Sequence, residues 1–99
     1  MNLKLNCGDF EKYLLKTNYY ANGIQYLFRF ENNYGASVIK NDMSYGHISD
    51  LWELAVAIFV DGDWDLCYGT PITDDVLGTL TNDEVLDILA KIKSLEKGE

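Results

Sequence analysis

Lysine and arginine are absent from residues 41–90, although this stretch holds eleven of the sixteen acidic residues and the whole chain has a formal charge of −8. Proteins bind nucleic acid by placing Lys and Arg against phosphates, so we expect no direct nucleic-acid binding through this stretch. Two readings of the acidity remain. It attracts the basic surface of a partner protein, or it only keeps the chain soluble.

Other absences exclude further classes of protein. The two cysteines, Cys7 and Cys67, form no CxxC motif, so we expect reduced thiols and no bound metal. The sequence has no phosphate-binding loop or dinucleotide fingerprint, and no cofactor is expected. The longest apolar run, residues 51–60, is too short to span a bilayer, and residues 1–10 lack the apolar stretch of a signal peptide. These features predict a soluble, cytoplasmic, single domain spanning residues 1–99.

Turn dipeptides and alternating apolar residues predict an antiparallel sheet. Asn22-Gly23 is a favoured two-residue hairpin turn, and apolar residues alternate with other residues from Ile24 to Phe30. Residues 36–40 follow as a third strand, after a turn at residues 31–35. Residues 51–60, with β-branched and aromatic side chains on alternate positions, favour a strand over a helix and lead into a turn at Asp61-Gly62.

The C-terminal third changes to helical spacing. Apolar residues recur at helical intervals from Val85 to Leu95, and Thr81 and Glu84 fit a capping box. Residues 73–78 are read as a short helical turn before this helix, and residues 9–16 as either helix or strand. The fold class is therefore α+β, with an antiparallel sheet of four or five strands packed against a C-terminal α-helix.

Asp61, Asp63 and Asp65 occupy alternate positions, as acids do at the start of a calcium-binding EF-hand loop. The loop also needs glycine at its sixth position and glutamate at its twelfth, but Leu66 and Ile72 stand there. We therefore interpret the three residues as a turn followed by a strand with outward aspartates, not as a metal site.

His47 is the only histidine, and no nucleophile and base are shown to converge on it. We expect no catalytic residue and no enzyme. Arg29 and Glu53 fall on the less apolar faces of two predicted strands, where a cross-strand ion pair is expected.

Four blocks of sequence carry a resemblance. They are residues 34–38 (YGASV), 44–46 (SYG), 51–56 (LWELAV) and 70–76 (TPITDDV). In these blocks the chain resembles a family of small, mostly uncharacterised proteins encoded by bacteriophages and prophages. The resemblance implies a small accessory protein in the cytoplasm of a bacterial host. By analogy of class, small acidic phage proteins often bind host enzymes, as anti-CRISPR proteins and DNA mimics do.

The favoured hypothesis is a stoichiometric binding protein that docks on a basic host protein and inhibits a nucleic-acid-binding or defence enzyme. Its expected partner-binding residues are Asp42, Tyr45, Asp50, Asp61, Asp63, Asp65, Asp74 and Asp75. The alternatives are a ligand-binding protein or enzyme that uses the loop around His47, and a structural phage component. A homodimer is also considered.

Overall fold

The computed structural model describes residues 2–73 and 75–96. Two short 3₁₀ helices cover Gly8–Tyr13 and His47–Ser49. The strands are β1 (Leu14–Tyr20), β2 (Gly23–Arg29), β3 (Tyr34–Lys40), β4 (Trp52–Val60), β5 (Asp63–Leu66) and β6 (Leu77–Leu80), and helix α1 covers Asn82–Lys93. The predicted α+β class with one C-terminal helix is confirmed.

The sheet is antiparallel throughout and follows the order β1-β2-β3-β4-β5. Both β5 and β6 pair with β4, which has β3 on its other side. β5 pairs along Ala57 to Val60, whereas β6 pairs with Trp52 and Leu54. The two short strands therefore share one edge of β4, and the chain between them leaves the sheet and returns.

The main core lies between α1 and one face of the sheet. α1 buries Val85, Leu89 and Ile92, and the facing sheet residues include Phe28 and Leu54, all completely or almost completely shielded. The predicted capping box is confirmed, since Thr81 Oγ1 accepts from the Glu84 N–H and the Glu84 carboxylate accepts from the Thr81 N–H.

A smaller cluster occupies the opposite face of the sheet. Leu27, Ala57 and Phe59 are buried there beside Trp64. The Arg29 guanidinium lies 5.1 Å from the centre of the Phe59 ring. Arg29 thus covers an aromatic ring by a cation–π contact.

The predicted ion pair between Arg29 and Glu53 is wrong. Register places Arg29 level with Gly35 and Ala57, whereas Glu53 lies four residues before Ala57 on β4. The Glu53 carboxylate instead accepts from the Tyr45 N–H at 3.1 Å. Strand register, which residue types alone did not reveal, separates the two charges.

The first hairpin differs from its prediction by one residue. Ala21 and Asn22, with φ of 51° and 58°, form the turn, and Gly23 is already the first residue of β2. A Cβ on Gly23 would lie 2.0 Å from the Lys40 carbonyl oxygen. Glycine is required here for close approach of β3, and the turn moves one position upstream.

Two uncertain segments are also settled. Within residues 9–16, a 3₁₀ helix continues to Tyr13 and β1 begins at Leu14, so both readings hold in part. The predicted helical turn over residues 73–78 is wrong at its C-terminal end, because Leu77–Leu80 pairs with β4. The free edge of β4 supplies hydrogen-bond partners that outweigh the local helical preference.

Within residues 2–73 and 75–96, no helix has the length and apolar character needed to cross a membrane. Cys7 and Cys67 are free thiols. Burial, with a smaller contribution from Glu11, raises the pKa of the Cys7 thiol above its ordinary value.

Candidate protein-binding surface

The acidic residues of the middle segment lie at two ends of the sheet. Asp42 and Asp50 belong to the loop before β4, whereas Asp61, Asp63 and Asp65 follow β4. β4 has nine residues, which extend over about 26 Å. This exceeds the screening length of about 8 Å at physiological salt. The two acidic groups therefore lie more than a screening length apart.

The loop of residues 41–51 exposes three large side chains that contain much apolar surface. Met43 is 75 % exposed, Tyr45 is 67 % exposed and Ile48 is 91 % exposed. We call these three residues the loop patch. Tyr45 was an expected binding residue, but Met43 and Ile48 were missed. The available signal was that two large apolar residues stand in an otherwise polar, glycine-containing loop.

An ion pair anchors the C-terminal end of this loop. The Lys40 ammonium lies 3.1 Å from a carboxylate oxygen of Asp50, with the two side chains 3 % and 48 % exposed. The same ammonium donates to the Asn2 carbonyl at 2.8 Å and lies 4.2 Å from the centre of the Trp52 ring. Asp50 is therefore paired with a buried cation and is less available to a partner than its sequence position suggested.

The Asp50 carboxylate is also held by the N-terminal segment. It accepts from the Asn2 N–H at 2.7 Å. This bond, followed by the contribution of Lys40, lowers the pKa of Asp50 below its ordinary value. The carboxylate is therefore charged throughout the neutral range and keeps the loop attached to the N-terminal segment.

Tyr45 is fixed by its backbone while its ring faces solvent. Its N–H donates to Glu53, and its carbonyl accepts from the Thr79 N–H at 3.4 Å. A Cβ on Gly78 would lie 2.7 Å from the Tyr45 Cβ, so the loop packs directly on β6. The chain thus presents the loop patch on a backbone that has specific contacts at its C-terminal end and in its middle.

Asp42 borders the loop patch and contacts the first hairpin. Its carboxylate accepts from the Asn22 side-chain amide at 2.7 Å, and its N–H donates to the Ala21 carbonyl at 3.0 Å. The side chain is exposed. Asp42 directly precedes Met43 in the sequence. Among the described residues, it has no ion-pair partner.

The second acidic group belongs to the hairpin of β4 and β5. Asp61 and Gly62, with φ of 53° and 83°, form its turn as predicted. Antiparallel strands direct successive N–H groups alternately towards and away from the neighbouring strand. The Cys67 N–H donates to the Val56 carbonyl at 2.8 Å, which places the N–H groups of odd-numbered residues towards β4.

The N–H groups of Trp64 and Leu66 therefore point to the free edge of the sheet. Each is bound by the preceding aspartate, since Asp63 accepts from Trp64 and Asp65 accepts from Leu66, both at 2.8 Å. We call these contacts the aspartate caps of β5. Unpaired N–H groups at an edge strand invite pairing with other chains, so the caps give Asp63 and Asp65 a structural use.

Asp74 and Asp75 are the remaining acidic residues of the expected binding surface. Asp75 is exposed, and its carboxylate accepts from the Val76 N–H at 2.7 Å. Asp74 lies outside the described residues. Among the residues that are described, no group of three or more His, Cys, Asp and Glu side chains is arranged to hold a metal ion.

His47 is tied to its own loop. Its Nδ1 lies 2.6 Å from the Ser44 carbonyl oxygen. Both hydrogen bonds of the nearby Asp50 carboxylate come from Lys40 and Asn2. Clefts of about 600, 340 and 490 Å³ lie elsewhere, the first lined by Asn2, Lys4, Asn6, Asn82 and Asp83. The geometry around His47 has the character of a loop-stabilising contact.

A scan against protein-family models, a search of curated proteins and a search of solved structures each found no match to this chain.

Proposed function

We propose that this chain is a stoichiometric binding protein that docks on another protein through the loop patch. The observation that carries the proposal is the exposure of Met43, Tyr45 and Ile48 on one anchored loop. Single exposed apolar side chains are ordinary, and it is the presence of three large ones within one loop that favours an interaction site. Met and Tyr are also enriched in the centres of protein interfaces.

The anchoring of the loop favours binding. A loop that is already ordered loses little conformational entropy when a partner docks. Lys40 and Asp50 hold one end of the loop, and the contacts of Tyr45 with Glu53 and Thr79 hold its middle. The exposed side chains are therefore presented in advance.

The partner that fits has an apolar pocket with a basic rim. Asp42 stands beside Met43 and is exposed, and the segment that contains the loop carries no lysine or arginine. Complementary charge at the rim speeds encounter, whereas the apolar contacts supply the affinity. We further propose a bacterial host protein as this partner, as expected from the phage-like sequence blocks, with a nucleic-acid-binding or defence enzyme as the first class to test.

Capture from bacterial lysate tests the proposal with matched variants. The loop variant carries Met43→Ser and Ile48→Ser, and the control carries Val60→Ser, an exposed apolar residue at the other end of β4. We expect a captured protein whose recovery falls more than about tenfold with the loop variant, because interface anchors typically contribute more than about 1 kcal/mol each. The control should bind as wild type does.

An Asp42→Asn variant separates charge from apolar contact. We expect it to slow association at about 0.15 M salt and to match wild type at about 0.5 M salt. Equal capture by the loop variant and by Val60→Ser, measured by quantitative mass spectrometry, contradicts the proposal.

A further inference from the structure

The sheet has three exposed borders, and two of them are occupied. At β5, Asp63 and Asp65 bind the outward N–H groups of Trp64 and Leu66. At β6, the loop of residues 41–51 packs on Gly78, and the Thr79 N–H donates to a loop carbonyl. Both borders are therefore closed to pairing with another strand.

The outer border of β1 is open. Tyr20 pairs with Gly23 across a two-residue turn, so the N–H groups of even-numbered residues in this part of β1 face β2. Those of Thr17 and Tyr19 face outward, and no side chain in the described part of the chain binds them. Tyr19 is 74 % exposed. A bulge at Leu15 ends this open segment on its N-terminal side.

We propose that β1 pairs with β1 of a second copy of this chain, antiparallel and centred on Asn18. In this register, Thr17 of each copy lies opposite Tyr19 of the other and exchanges both backbone hydrogen bonds with it. Asn18 lies opposite Asn18 as a non-hydrogen-bonded pair. The six-stranded sheets of the two copies then become one sheet. This inference does not depend on the loop patch.

The side chains of β1 suit this register. Lys16 lies opposite Tyr20 of the other copy, where a cation can meet an aromatic ring and where no like charge faces it. The strand contains no acidic residue, so its border is free of the negative charge that separates copies elsewhere. Thr17 and Tyr19 share one face of the sheet, so in this register the exposed Tyr19 side chain of each copy lies beside Thr17 of the other.

Pairing along so short a segment buries less than the roughly 1,200 Å² of a stable interface, so we expect a weak dimer. The net charge of −8 on each copy opposes it further, and added salt should strengthen it.

Disulfide trapping tests the register. In a Cys67→Ser background, Asn18→Cys should cross-link to itself under mild oxidation, because the Cα atoms of such a pair lie about 4.5 Å apart, within disulfide range. Lys16→Cys is the matched control. In the proposed register, residue 16 of one copy is offset from residue 16 of the other by four positions, about 13 Å along the strand. This pair should cross-link at least tenfold more slowly.

Sedimentation at protein concentrations up to about 1 mM tests whether the outer border of β1 mediates the association. Thr17→Pro removes an outward N–H without removing a bond to β2, and should weaken association at least tenfold, whereas Thr17→Val keeps the N–H and should associate as wild type does. Wild-type protein that stays monomeric at this concentration, or equal cross-linking at positions 16 and 18, would overturn the proposal. The trapping result does not require the proline variant to fold.

Discussion

The β1 and β5 strands both end the sheet, yet their free N–H groups meet different chemistry. On β5, every second residue is an aspartate whose carboxylate binds the next N–H at 2.8 Å. On β1, the outward residues Thr17 and Tyr19 have no such neighbour, and the strand carries one lysine and no acid. The difference indicates that a row of acids can close a backbone edge, a use separate from the attraction of a partner.

The comparison also changes the meaning of the Asp-x-Asp-x-Asp motif. Only Asp61 of the three takes part in the turn, and the other two close the edge. Their charge and their hydrogen bonds are separate properties, so substitutions can remove one and keep the other.

The largest expected effect concerns the loop that closes β6. Lys40→Ala should lower the free energy of unfolding by about 3 kcal/mol, because it empties the space of a buried side chain that is 2 % exposed and also removes the cation from its pair with Asp50 and from the Trp52 ring. Lys40→Met, which keeps the buried chain, should cost less than half as much. Urea unfolding measures both, and equal losses would show that charge pairing carries the effect.

Removing the aspartate caps should make β5 resemble β1. Asp63→Ala with Asp65→Ala leaves two edge N–H groups unbound, each worth about 1 kcal/mol, so self-association should rise about thirtyfold. Asp63→Asn with Asp65→Asn loses the charge but keeps an acceptor oxygen, and should change association much less. Sedimentation at about 0.5 M salt, where charge is screened, compares the pairs. A similar rise in both would assign the effect to charge.

Acid should loosen the loop that covers β6. The pKa of Asp50 is lowered in the folded chain, chiefly by the Asn2 N–H and then by Lys40. Its stabilisation is therefore complete above the unfolded pKa of about 3.9 and is lost as the pH falls through the lower, folded pKa. Thermal unfolding between about pH 2 and pH 6 should show a shallower acid slope for Asp50→Asn, with the matched Asp42→Asn close to wild type. Identical slopes for Asp50→Asn and wild type would contradict this account.

The smallest effect is expected at Asp61, which binds neither edge N–H. Asp61 has φ of 53°, a conformation that asparagine tolerates well. Asp61→Asn should change the free energy of unfolding by less than about 0.5 kcal/mol and leave self-association unchanged. If Asp61→Asn changed association as much as the Asp63 and Asp65 variants do, the motif would act through its charge alone and not through the edge hydrogen bonds.

Local patterns predicted the elements whose partners lie nearby. The alternation from Ile24 to Phe28 gave the two faces of β2, and Thr81 with Glu84 gave the start of α1. The turn shift at Gly23 could not be predicted, because the carbonyl of Lys40 that excludes a Cβ comes from another strand. The pairing of β6 with the start of β4 depends on a distant edge in the same way.

The candidate site was predicted in part. Tyr45 and Asp42 belong to the surface that the fold presents, but Met43 and Ile48 looked like ordinary apolar residues until their exposure was known. The acids appeared as one segment because sequence distance does not show that β4 separates Asp50 from Asp61.

Amide hydrogen exchange of the dilute, monomeric protein tests the contrast between the two edges most directly. The account predicts that the Trp64 and Leu66 amides exchange more slowly than those of Thr17 and Tyr19, and that Asp63→Ala with Asp65→Ala removes this difference while the Cys67 amide stays protected. Equal exchange at both edges of the wild-type protein, or protection at Trp64 and Leu66 that survives loss of both aspartates, would contradict it.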